Sequence, residues 1–108
     1  LIDSDSVEGT TVFNCSGERI GSVARLLIDK RTGVTHYVEM EFGGFLGFGK
    51  EVYPLPWEVL EYDVNIGGYL VNLTPEQLKS APSYDPTDRK PIDHGYDSHI
   101  RSHYGLPE

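Results

Sequence analysis

Three histidines near the end of the chain carry the first spacing that suggests chemistry. His99 and His103 stand four apart, so a helix through them places both imidazoles on one face, with Asp93, His94 and Asp97 close enough in sequence to add ligands. Against a metal site, the segment is interrupted by prolines and the one thiol, Cys15, is remote in the chain. His99 and His103 stand as weak metal candidates only, and the sequence predicts neither a metal nor a cofactor. The run Gly43-Gly44-Phe45-Leu46-Gly47-Phe48-Gly49 invites comparison with a phosphate-binding loop. Its glycines do not have that spacing, and neither Lys-Ser nor Lys-Thr follows. It reads instead as a glycine-rich hairpin displaying Phe45, Leu46 and Phe48, either tucked over one end of the domain or offered to a partner.

No nucleophile is set up for catalysis. Gly21-Ser22-Val23 lacks the flanking glycines of a nucleophile elbow. Glu39 and Glu41 alternate on what reads as the solvated face of a strand, and His36 falls on its apolar face. The chain is expected not to be an enzyme.

These residues sit in a chain of 108 residues, enough for one domain with a thin core. Its hydrophobic content of 38% is low, but 11% aromatic residues set it apart from disordered chains. The net charge of −8 disfavours direct binding to nucleic acid or anionic lipid. No apolar run approaches the ~20 residues of a membrane helix, so no membrane insertion is expected. A single cysteine excludes an intrachain disulfide and favours a cytoplasmic setting. The chain opens on Leu1 rather than Met, which leaves a preceding targeting segment open.

The texture changes near residue 80. Before it, short β-type segments alternate with turns: residues 10–14, a Ser16-Gly17-Glu18 turn, and residues 20–29 with Ile20, Ala24, Leu26 and Ile28 on one face. Lys30-Arg31-Thr32-Gly33 makes a hairpin loop. Val34, His36, Val38, Met40 and Phe42 then alternate against Thr35, Tyr37, Glu39 and Glu41. Pro54 and Pro56 confine the segment Val52-Tyr53-Pro54-Leu55-Pro56-Trp57 to a sheet edge or take it out of the sheet. Leu60, Tyr62, Val64 and Ile66 form another alternating face, and Tyr69, Val71 and Leu73 return after a Gly67-Gly68 turn. Thr74-Pro75-Glu76-Gln77 has the cap, N1 proline and box glutamine of a short helix, and residues 98–104 suit another.

Laid out in order, four segments resemble the PRC-barrel domain family. They are Gly17-Glu18-Arg19-Ile20-Gly21-Ser22-Val23, Val34-Thr35-His36-Tyr37-Val38-Glu39, the glycine-rich run at 43–49, and residues 52–57. The resemblance implies a mainly β fold: a small six-stranded PRC-type β-barrel used as a binding module, with a short helix after the last strand and an irregular C-terminal extension. Known settings of the family are the cytoplasmic part of the photosynthetic reaction-centre H subunit and the C-terminal domain of a ribosome-maturation factor. This sequence shows neither the membrane helix of the first nor the N-terminal domain of the second, and its tail resembles the extension of stand-alone members.

The expected organisation is an N-terminal lead at 1–9, the barrel at 10–79 and a Pro/Tyr/His-rich extension at 80–108. Val23 and Leu27 point away from the stripe of Ile20, Ala24, Leu26 and Ile28, and need cover. Tyr84, Ile92, Tyr96, Ile100 and Tyr104 are spaced to provide it, by docking on their own barrel or on a second copy to make a homodimer. The expected function is that of a non-enzymatic protein-interaction adaptor. Phe45, Leu46, Phe48, Tyr53, Leu55 and Trp57 are its candidate partner-binding residues. The alternatives are an H-subunit-like part in photosynthetic electron transfer, a ribosome-assembly accessory and a small-ligand or metal binder.

Overall fold

The alternating segments become six strands: β1 (Thr11–Asn14), β2 (Arg19–Ile28), β3 (Thr35–Glu41), β4 (Tyr53–Pro56), β5 (Glu61–Asp63) and β6 (Gly68–Val71). They are seen in a computed structural model that describes residues 1–42, 51–87 and 92–107. The glycine-rich run with Phe45, Leu46 and Phe48 lies outside these described residues. The strand order is β4-β3-β2-β1-β6-β5. Neighbours are antiparallel except β1 and β6, which run parallel with Val12 beside Tyr69. The fold is mainly β with six strands, as expected, and the mixed sheet curls into a half-barrel with β4 and β5 at its edges. Its concave side holds the core, built from Val12, Ile20, Val23, Val38, Met40 and Leu55, each at most 1% exposed.

The turns follow their residue chemistry. Asn14 Oδ1 accepts the Ser16 and Glu18 amides, and Gly17 supplies the left-handed residue (φ 84°) between β1 and β2. Asp29 does the same work between β2 and β3, where its carboxylate accepts the Arg31 and Thr32 amides at 2.8 and 3.2 Å. Those two backbone donors hold its pKa below the ordinary carboxylate value.

Three expectations about faces are corrected. Between Val23 and Arg25 the pairing with β3 slips by one residue, so Ala24 is a bulge and the alternation changes phase there. That puts Leu26 on the same side as Val23, and a separate slip in the β1–β2 pairing at Ile20 lets Ile20 and Val23 both join the core, so Val23 needs no cover from the tail. A second slip opposite Ile28 leaves His36 exposed at the end of β3 rather than on its apolar side. The face expected from Leu60, Tyr62, Val64 and Ile66 does not form, because β5 ends at Asp63 and a turn follows. In that turn Asp63 Oδ1 accepts the Asn65 amide. Leu60 packs on the core, whereas Tyr62, Val64 and Ile66 are 49, 79 and 44% exposed.

Beyond the sheet, α1 (Ser4–Val7) precedes β1 and buries Val7. A single 3-10 turn at Trp57–Val59 links β4 to β5. The capping box at Thr74 forms as read: its hydroxyl accepts from the Gln77 amide and the Gln77 side-chain Oε1 accepts from the Thr74 amide, opening α2 (Pro75–Lys79). The extension is more ordered than the sequence suggests. It carries a ten-residue helix, α3 (His94–His103), which starts four residues earlier than expected because Asp93 caps it, accepting from the Tyr96 amide.

At Gly21 β2 passes close against β3. A Cβ placed there would run into the Glu41 carbonyl oxygen of the neighbouring strand. Gly21→Ala is therefore expected to destabilise the fold by about 1–3 kcal/mol, the usual range for overpacking. Urea denaturation followed by far-UV circular dichroism measures it, and an unchanged midpoint would contradict this account of β2.

Candidate functional site

The convex side of β3 presents Tyr37, Glu39 and Glu41. Glu41 is exposed as expected, but Glu39 is not: it has no solvent exposure at all. The alternation places it on the outer face, and residues far along the chain close over that face. Arg25, directly across on β2, brings its Nε to 3.0 Å from Glu39 Oε1. The Tyr84 hydroxyl donates to the other carboxylate oxygen at 2.5 Å. A buried carboxylate is tolerated only with such partners, because desolvating it alone costs several kcal/mol.

The backbone at Tyr84 is fixed as well. Its amide and carbonyl exchange hydrogen bonds with Val52 at 3.1 and 3.0 Å, adding one bridge of extended chain just before β4. Helix α3 then packs against β4. The Tyr37 hydroxyl donates to Asp97 Oδ1, and Arg101 forks onto Glu58 with N–O distances of 3.2 and 2.7 Å. His103 Nε2 lies 2.9 Å from the Gln77 carbonyl oxygen, joining α3 to α2. Burial first, and then the Asp97 bond, raises the Tyr37 pKa, while burial alone is the main cause of the rise at Tyr104. The Arg101 guanidinium pulls the Glu58 carboxyl below its ordinary value.

Of the five residues expected to dock the extension, Tyr84 pairs with Val52 and Ile92 lines a groove shared with Leu27 and Ile28. Ile100 is fully buried, and Tyr84, Ile92, Tyr96 and Tyr104 are half-buried. Tyr104 packs on the core, and its hydroxyl is buried without a hydrogen-bond partner among the described residues. Of the residues expected to meet a partner, Tyr53 and Leu55 are core, 4 and 0% exposed, with the Tyr53 ring edge-on to Phe42 at 4.8 Å. They are inaccessible because β4, although an edge strand, is covered on both faces. Trp57 is half-buried and meets Tyr69 edge-on at 5.9 Å. His99 is exposed and stacks on Tyr96, whereas His103 is held at Gln77. No group of three or more His, Cys, Asp or Glu suited to a metal occurs among the described residues.

Where the extension meets the end of the β2–β3 hairpin, an open groove of about 660 Å³ remains. The sheet contributes Leu27, Ile28, Asp29, His36 and Tyr37. The extension contributes Tyr84, Ile92, Asp93, His94 and Asp97. Sequence reasoning singled out Asp93 and Asp97 for a metal and did not pair them with Asp29. The one signal that could have joined the two halves was Leu27, an apolar residue needing cover on the outer side.

With this geometry in view, comparison with known families gives a direct result: the PRC-barrel domain model matches residues 1–78. The chain belongs to the PRC-barrel domain family. No curated protein matches it. The match ends before Tyr84 and α3, so the residues that cover the outer face lie beyond the matched domain. Among the described residues, no helix is long and apolar enough to cross a membrane.

Two measurements check the site. Tyr84→Phe removes a donor from a buried carboxylate and is expected to lower stability by about 1–3 kcal/mol in urea denaturation. Raised tyrosine pKa values favour the folded state fully below the unfolded value near 10, and that contribution disappears as pH climbs through the folded values. Stability should thus fall steeply above about pH 10. Tyr37→Phe with Tyr104→Phe should flatten the fall, as read by tyrosinate absorbance and circular dichroism in parallel.

Proposed function

We propose that this chain is a non-enzymatic interaction module that recognises a protein partner. The observation that carries the reading is the way the sheet already holds polypeptide. A distant segment is held beside the sheet by one backbone bridge between Tyr84 and Val52, just before β4, and by side-chain bonds to Glu39 and Glu58. Pairing with exposed backbone and fixing register with a few side chains is a general mode of peptide recognition. PRC-barrel domains are often protein-interaction modules, which supports the same reading. Recognition, with no covalent step, is the proposed mechanism, in a cytoplasmic setting and with no cofactor.

Affinity capture from native extract with the intact chain tests it. A single stoichiometric protein partner is the expected result. The partner's identity separates an H-subunit-like role in photosynthetic electron transfer from a role in ribosome assembly. Recovery of the chain with nothing but further copies of itself would replace the adaptor reading with self-association through the extension.

A further inference from the structure

The groove between the β2–β3 hairpin and the start of α3 has a consistent chemistry. Leu27, Ile28 and Ile92 make it apolar. Asp29, Asp93 and Asp97 place three carboxylates around it, and its described lining holds no Lys or Arg. Each carboxylate is held in place by a bond of its own: Asp29 by the Arg31 and Thr32 amides, Asp93 by the Tyr96 amide and Asp97 by the Tyr37 hydroxyl. Their positions are therefore set before anything binds, which limits the ordering cost of binding. A volume of about 660 Å³ suits one or two side chains of a ligand, and the chain's charge of −8 adds a long-range attraction for cations.

We infer that this groove is the docking site for a basic segment of the partner protein, one that lays an aliphatic side chain on Leu27, Ile28 and Ile92 and an arginine or lysine among Asp29, Asp93 and Asp97. The inference rests on the adaptor reading and names the chemistry of its partner. Half of the groove comes from residues beyond the matched domain, so recognition belongs to this chain's own combination of barrel and extension. An aliphatic stem with a charged head matches a groove of this kind, since Lys and Arg bury their methylenes while the head stays at the polar rim.

The test titrates the intact chain with a capped hexapeptide of alternating leucine and arginine, followed by NMR. Its citrulline counterpart supplies the same shape without charge. Asp29→Asn with Asp93→Asn removes two charges while keeping the side-chain oxygens that cap the turn and the helix, so the fold is expected to be retained. The expected result is saturable shifts at Leu27, Ile28 and Ile92. Affinity should be about fivefold weaker for the citrulline peptide and for the doubly substituted chain, and weaker again at high salt. Equal binding of the citrulline peptide, or shifts confined to other parts of the surface, would overturn it. So would saturation of the groove by spermidine with no response to the peptide, which would point to a free amine rather than a protein segment. Capture from extract separates this proposal from the adaptor reading. A partner held equally by the intact and the doubly substituted chain would remove the groove and leave the adaptor. Peptide binding at the groove without any captured protein would do the reverse.

Discussion

The placement of the C-terminal extension depends on one carboxylate, that of Glu39. Strand alternation puts it on the outer face of β3, where a free carboxylate would stay in water, yet it is fully buried. Keeping it there requires Arg25 across the sheet, and the bulge at Ala24 sets the register that brings Arg25 opposite. It also requires the Tyr84 hydroxyl, which arrives only because Tyr84 pairs with Val52. From there the chain is committed to the β4 side of the sheet, and α3 follows. Buried ion pairs add little net stability over apolar residues of the same size, because desolvation offsets their attraction. Their effect here is positional: an extension shifted along the sheet would leave a buried charge without its partners.

The same contacts resolve the difficulty of an open sheet. A half-barrel has two edges, and an exposed edge is a template for unwanted pairing. At β4 the edge is blunted by Pro54 and Pro56, which have no amide to donate, and the chain just before it is already paired with Tyr84. At the other end β5 is only three residues long and carries Glu61 and Asp63, so charge and brevity do the same work.

How much was legible in the sequence follows from the range of each interaction. The turns at Gly17 and Gly33, the edge position of the Pro54–Pro56 pair and the box at Thr74 all depend on residues within a few places of one another, and all could be read. The phase of β2 could not, since a bulge depends on what the neighbouring strand offers. Glu39 was misplaced for a stronger reason: its hydroxyl donor lies 45 residues away, beyond any local pattern. The start of α3 differs from the expected 98–104 because Asp93 caps the helix and starts it at His94, four residues before the segment the sequence marks as helical. For the groove, each half was visible and the junction was not, because Leu27 and Ile92 face one groove only once the chain has folded.

The parallel pairing of β1 with β6 has a consequence for how the protein is made. Synthesis delivers β1, β2 and β3 together as an antiparallel meander that can form as soon as it emerges. The strand that covers the other side of β1 comes roughly thirty residues after the end of β3, about 1.5–6 s later at ~5–20 residues per second. Throughout that interval the outer edge of β1 has its amides and carbonyls free, and the core residue Val12 lacks a neighbour on that side. A nascent chain in this state is a sheet with an unfinished seam, so the interval between the two strands is when it is most open to pairing with the wrong chain.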